Sequence, residues 1–209
     1  MVEKQSRKPG RPRTFDRDDA LDKVTDVFWE MGYDAADTET LSRRTGFAKP
    51  SLYKEFGSKE DMFVAALNHY REKHGRSSLD ALSVVSTPGE GLKNYFLGFA
   101  KDVAGPDHPR GCLLMSVAFS LRDRLPKVDK ALEIMPEEST PRLQTYFAAH
   151  KEQGNLSQSF DETAAIALIR DLCAAMAVHA RSGVPLEFLE SKSTPFVNLV
   201  LLEGYGVLA

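Results

Sequence analysis

Lys49, Ser51, Tyr53 and Lys54 crowd one short stretch, and Lys59 follows closely. Ammonium and hydroxyl groups so spaced are donors to anions. Lys49 can reach a guanine edge or a phosphate, and Ser51 and the Tyr53 hydroxyl can donate to phosphate oxygens. Lys59 falls at a helix start, where free amides already favour an anion. Other chemistry is not signalled. The five histidines, His69, His74, His108, His150 and His179, lack ligand spacing, so no metal is expected. No nucleophile-base grouping or glycine-rich phosphate loop occurs, which argues against an enzyme and against a cofactor.

These donors need elements to hold them. The spacing predicts a helix over 16–32, capped by Asp16, with Ala20, Leu21, Val24, Val27, Phe28 and Met31 on one face and Gly32 closing it. A short helix capped by Asp37 ends near Arg44. A second runs from Lys49 to Phe56, with Pro50 tolerated in the first turn. Thr45-Gly46-Phe47-Ala48 joins them. Helices of about two turns do not stand alone, so 16–32 and a helix begun by Ser58 must hold them. Leu41, Phe47, Leu52 and Phe56 supply the inward contacts, leaving Lys49, Ser51, Tyr53 and Lys54 outward. Such residues at the exposed start of a short helix suit a major groove.

Further helices are expected at 89–104, 110–123, 126–135, 140–153, 161–182 and 194–207, with a mostly polar connection over 75–89 in which Leu79, Leu82, Val84 and Val85 are partly buried. The whole reads as all-α. Its divisions are a basic arm (1–13), a helix-turn-helix DNA-binding domain of three helices (14–74) and a larger helical effector-binding and dimerisation domain (75–209).

Composition fits this plan. The 209 residues are 42% hydrophobic and 27% charged, as in a soluble globular chain. No run approaches the roughly 18 apolar residues of a membrane helix, and residues 1–13 lack the apolar core of a secretory signal. Two cysteines make a disulfide framework improbable, and the cytoplasm is the expected compartment. Residues 1–15 set five basic residues against Glu3. Residues 1–74 carry 14 basic and 14 acidic residues, and 75–209 carry 13 and 16. Nucleic acid at one end would fit that polarity, and so would a solvated tail.

Phe28-Trp29-Glu30-Met31-Gly32-Tyr33, Leu41-Ser42-Arg43-Arg44-Thr45-Gly46-Phe47 and Ser51-Leu52-Tyr53-Lys54-Glu55-Phe56-Gly57-Ser58-Lys59-Glu60 together resemble the DNA-binding domain of the TetR family, over about residues 14–70. The resemblance implies a homodimer on a palindromic operator, usually a repressor, released by a small-molecule effector. A DNA-bound architectural or partner-binding protein without an effector is one alternative, and an enzyme built on a helical bundle is a second; a closed core at 89–153 would favour the first, and a cavity would favour sensing. Two positions depart from the family. Ala48 replaces a capping Ser, Thr or Asn. Glu55 replaces a phosphate-touching residue; it either accepts from a cytosine amino group or, the favoured reading, faces away. Gly10-Arg11-Pro12-Arg13 looks like an AT-hook core, with Arg11 and Arg13 entering a narrow minor groove. A solvated tail or simple phosphate contacts would also fit.

The resemblance also implies dimerisation through the last two long helices. Leu168, Leu172, Ala175 and Met176 on 161–182, with Val197 and Leu201 on 194–207, are the expected interface. The terminal helix, including Tyr205, is apolar nearly all round. Phe96, Phe99, Cys112, Met115, Phe119, Met135, Tyr146 and Phe147 are candidates for an effector cavity, though such residues at helical spacing also build plain core. Arg110-Gly111-Cys112-Leu113-Leu114 is similar to a segment of one TetR subgroup. Arg110 and a helix start would stabilise a Cys112 thiolate, as in an electrophile or oxidant sensor. A small buried residue is the favoured reading, and Cys173 reads as packing.

Overall fold

The computed structural model describes residues 16–74, 76–83, 87–134 and 137–204. Arg11 and Arg13, with the rest of the 1–13 arm, lie outside the described residues, as do Val84, Val85, Met135 and Tyr205.

Helix α1 (Arg17–Ala35) starts where Asp16 accepts from the Asp18 and Asp19 amides. Its expected apolar face is buried from Ala20 to Phe28, and Met31 is half-buried. Gly32 breaks the helix at φ +78°, but the chain resumes a helical turn and ends at Ala35, three residues beyond the expected stop. Helix α2 (Thr38–Thr45) is capped by Asp37 on the Thr40 amide. Gly46 follows in the left-handed region (φ +76°), which a side chain would strain. The Ser42 hydroxyl donates to the Phe47 carbonyl at 2.7 Å and fixes the turn. Helix α3 (Lys49–Phe56) has no side-chain cap at Ala48. Helix α4 (Lys59–Lys73) has a full capping box between Ser58 and Asp61. Lys127, Ser58 and the Ser58 amide lower the Asp61 carboxyl to about 2. Phe28 meets Phe63 edge to face at 5.0 Å, and Leu41, Leu52, Met62 and Leu67 close the core between the four helices.

The larger half is built around α6 (Pro88–Ala104). Against it pack α5 (Arg76–Asp80), α10 (Glu162–Arg181), α11 (Leu186–Ser191) and α12 (Ser193–Gly204). Helices α7 (Leu113–Ser116), α8 (Pro126–Ile134) and α9 (Ser139–Glu152) complete it. Among the described residues no strand occurs.

Three expectations need correction. The 75–89 connection is partly helical, because Leu79 and Leu82 turn into the core. The 110–123 helix is not continuous. Gly111 donates to the Val103 carbonyl (2.7 Å) and accepts from the Trp29 indole (2.9 Å), so neither group joins a helical ladder. Only Leu113–Ser116 is α-helical; a 3₁₀ turn over Ala118–Leu121 buries Ala118 and Leu121 instead. The third concerns α10, which is long and apolar enough, by length and composition, to cross a membrane. It nonetheless carries Arg170 and Asp171 at mid-length, and one face packs into the core through Ile169, Cys173 and Ala177.

The halves meet at Trp29. Arg181, at the end of α10, donates to the last turns of α1: to the Trp29 carbonyl, and to the Glu30 carbonyl at 2.8 Å. His108 stacks on the Trp29 ring at 4.8 Å, and His74 meets it edge to face at 4.9 Å. Ion pairs Lys127–Asp61 (2.6 Å) and Arg124–Asp34 (3.0 Å) flank the joint.

Two outcomes are expected. Ala48→Ser should supply the missing cap and stabilise the fold by about 0.5–1 kcal/mol, raising the urea midpoint with no change in slope. Burial, then the neighbouring His108, lowers the His74 pKa; burial lowers that of His150 as well. A depressed imidazole pKa means the unfolded chain binds the proton more readily. Stability is therefore full above pH 6.5 and declines as pH falls below it. His74→Gln should flatten part of that decline in urea titrations at successive pH values; an unchanged profile would mean the joint tolerates the charge.

Candidate nucleic-acid interface and internal cavity

Helix α3 buries Leu52 and Phe56 against its neighbours and turns its other side outward. Tyr53 is 44% exposed and Lys54 is exposed, while Lys49 and Ser51 are half-buried. Lys49 is not a free cation: its ammonium pairs with Glu39 of α2, which raises its pKa. Glu55 turns from the α3 surface toward α1, accepting from Arg17 at 2.9 Å, in keeping with the facing-away reading. Lys59 stands over the Tyr33 ring at 4.4 Å, and burial lowers its pKa. The α4 N-terminus beside it leaves a positive end near α3. Tyr53, Lys54 and Lys59 thus occupy neighbouring elements, with Lys49 and Ser51 at the α3 start. Arg17 escaped the sequence reading, since only the fold brings its guanidinium to Glu55 and the Phe56 ring.

The second feature is a cavity of about 440 Å³ between α4, α6, α7 and α10. Phe99, Cys112, Met115 and Phe119 line it. Phe96, Tyr146 and Phe147 do not. Phe96 is fully buried against Phe196 of α12, and Phe147 against Phe160. The Tyr146 hydroxyl donates to the Pro88 carbonyl at 2.8 Å, and its ring edges a separate shallow groove. The α6 wall is instead the stripe Tyr95, Phe99 and Asp102, one residue out of register with the Phe96 expectation. On a helix that step is about 100°. Tyr70, Arg71 and His74 of α4 form the wall nearest the DNA-reading half. Their spacing at i, i+1 and i+4 is visible in the sequence, but the sequence pattern assigns α4 wholly to that half.

Cys112 is buried, as its favoured reading has it, and is not the stabilised thiolate of the sensor alternative. That burial raises its pKa. Arg110 points elsewhere, donating to the Val184 carbonyl at 3.4 Å. Cys173, likewise buried, is pushed up to about 12.

Of the expected interface residues, Ala175 is exposed and Leu168, Leu172 and Leu201 are half-buried. Met176 and Val197 are buried within the protomer, so they have little surface left to offer. Val178 (59% exposed), Leu199 and Leu202 (65%) carry the outward apolar surface instead.

Two short helices held across a tight turn by a third and fourth, with an outward donor-bearing α3, define a helix-turn-helix DNA-binding protein. The sequence profile described as "Bacterial regulatory proteins, tetR family" matches residues 20–66. The HTH-type transcriptional repressor ComR of Escherichia coli (strain K12) is 30% identical over 181 residues, 86% of either chain. Its compatriot BdcR, also an HTH-type transcriptional repressor, is 31% identical over 55% of this chain and 58% of its own. Among solved structures, a cysteine-substituted TetR family transcriptional regulator CifR in complex with 26-bp operator DNA superposes with a TM-score of 0.80 and 31% identity. It covers 90% of this chain and 98% of its own. The chain belongs to the TetR family and is a DNA-binding transcriptional regulator.

Tyr53→Ala and Lys59→Ala should weaken specific and random DNA about equally, since phosphate contacts position without specifying. Lys59→Ala should also lower the salt slope of binding by about one unit. Unchanged affinity in both variants would reject this orientation of α3.

Proposed function

We propose that the chain is a homodimeric, cytoplasmic repressor that leaves a palindromic operator when a small molecule fills the α4–α6–α7–α10 cavity. The division is residues 14–74 for DNA and 75–209 for effector and dimer, with the 1–13 arm, through Arg11 and Arg13, reaching the minor groove. One observation carries the reading: the cavity wall includes Tyr70, Arg71 and His74 of α4, the helix whose first residue is Lys59. A molecule in the cavity therefore touches the element that positions the DNA contacts. An effector-free architectural protein gives no reason for a cavity of this size at that place. The names of ComR and BdcR support repression, and the CifR complex supports a duplex operator.

Dimerisation is supported by apolar surface that the protomer leaves uncovered. Val178 and Ala175 on α10, with Leu199 and Leu202 on α12, form outward positions on two adjacent helices. A two-fold operator demands a self-complementary protein surface.

Footprinting on DNA flanking the protein's own gene, followed by a metabolite screen for release, tests the whole. A protected two-fold site freed by one compound class is expected. Protection that no compound relieves would favour the effector-free alternative. For the dimer, Ala175→Arg sets an unpaired charge in a dry contact, a cost of several kcal/mol. Sedimentation should show a monomer, with operator affinity collapsed and the circular dichroism of the fold retained. A variant that stays dimeric would move the interface off α10.

A further inference from the structure

The cavity has a polarity pattern of its own, and it bears on what the cavity holds. Two tyrosines line it, Tyr70 and Tyr95, and their hydroxyls have different neighbours. The Tyr70 hydroxyl faces the Leu113 amide and the Cys112 thiol. The Tyr95 hydroxyl has a single hydrogen-bond partner among the described residues, the Cys173 thiol at 3.7 Å. Sulfur is a weak donor and a weak acceptor, and a buried phenol ordinarily finds a strong partner. Tyr95 is 5% exposed and lines the cavity. The phenol thus has hydrogen-bonding capacity that its own protein leaves nearly unused, at the wall of the cavity.

The charged residues that line the cavity balance, Arg71, Arg122 and Arg170 against Asp102, Glu137 and Glu138, which leaves no net charge for an ionic occupant to answer. Asp102 lies on the same α6 stripe, two turns from Tyr95. Arg71 is answered by Glu138 at 3.7 Å. Glu137 accepts from Ser139 and from the Thr140 amide, and its field falls on Arg170. Phe99, Val103, Leu114 and Met115 supply the apolar walls.

We infer that the cavity takes an uncharged, largely apolar molecule that presents one hydrogen-bond-accepting oxygen, a ketone or ester carbonyl, to the Tyr95 hydroxyl. This rests on the reading of the cavity as the effector site. Phe99 and Met115 hold the carbon skeleton, and the Tyr95 O–H fixes its orientation. A polar group placed in an apolar site in this way selects between analogues that differ by one oxygen, because the unmatched site leaves a buried group unpaired.

The test uses 1-tetralone and tetralin, which share a skeleton and differ by the carbonyl, on full-length protein by equilibrium dialysis. Y95F removes only the hydroxyl. It should weaken 1-tetralone about tenfold and leave tetralin within about twofold, the tenfold being what the loss of one buried hydrogen bond gives. Equal effects on both probes, or none on either, overturn the inference while tetralin binding leaves the cavity reading intact. If neither probe binds the wild type, the cavity reading and the inference fall together. Infrared spectroscopy on the wild type decides independently of how well Y95F folds. The carbonyl stretch of bound 1-tetralone should lie below its position in hexane, and a band at the hexane position rejects the hydrogen bond.

Discussion

The end of α1 is the constraint on which the arrangement depends. A helix finishes with carbonyls that lack partners, and here the missing donor comes from the far half of the chain. Arg181 reaches the Trp29 and Glu30 carbonyls from the last turn of α10. The Trp29 indole returns a bond to Gly111, and His108 covers its ring. The side chain is fully buried, so its indole N–H had to find an acceptor or leave a costly unpaired donor. Gly111 can serve because its φ of +87° turns the carbonyl out of any helix. The same choice ends the continuous 110–123 helix, delays α7 to Leu113, and places Cys112 and Met115 on the cavity wall. One hydrogen-bond requirement thereby shapes both the joint and the space beside it.

The sequence made the DNA-reading half readable because its signals are local. Asp16, Asp37 and Ser58 each cap the helix expected of them, and the apolar spacing of α1 marks its buried face. Gly46 and Gly57 stand where the chain needs positive φ. The missing cap at Ala48 could be read directly. What local signals miss is long-range: Lys49 reads as free, but α2 brings Glu39 beside it, and Arg17 reads as remote, but its guanidinium meets Glu55 of α3.

In the larger half the pattern is ambiguous by nature. Helix α6 is buried on several sides, and its aromatics Tyr95, Phe96 and Phe99 share a sector of about 100°, so periodicity cannot say which of them faces a void. Phe96 and Tyr95 are neighbours in sequence with opposite fates, one sealed by Phe196 and the other open to the cavity. Cys112 takes its favoured, buried reading over the sensor alternative for a related reason. A helix start and a nearby arginine stabilise a thiolate only where solvent or the cation reaches the sulfur. Burial of Cys112 outweighs both.

Under the proposed function, α4 must carry information as well as structure. It is 15 residues long, about 22 Å at 1.5 Å per residue. Lys59 stands at one end, and Tyr70 and His74 at the other. Its N-terminal end is tied to Lys127 through Asp61, and its C-terminal end meets His108 through His74. A helix held at both ends by the larger half cannot shift at one without disturbing the other. A ligand gains control of DNA affinity only to the extent that it binds one arrangement better than the other. The relevant contacts are therefore those whose length changes if α4 moves against α6 and α7: the Tyr70 face, the His74 stack and the Arg71–Glu138 pair. All three border the cavity. An occupant wedged between Met115 and Tyr70 would favour the arrangement with the wider gap. Reciprocity follows: operator DNA, by favouring the narrower one, must weaken the ligand by the same factor.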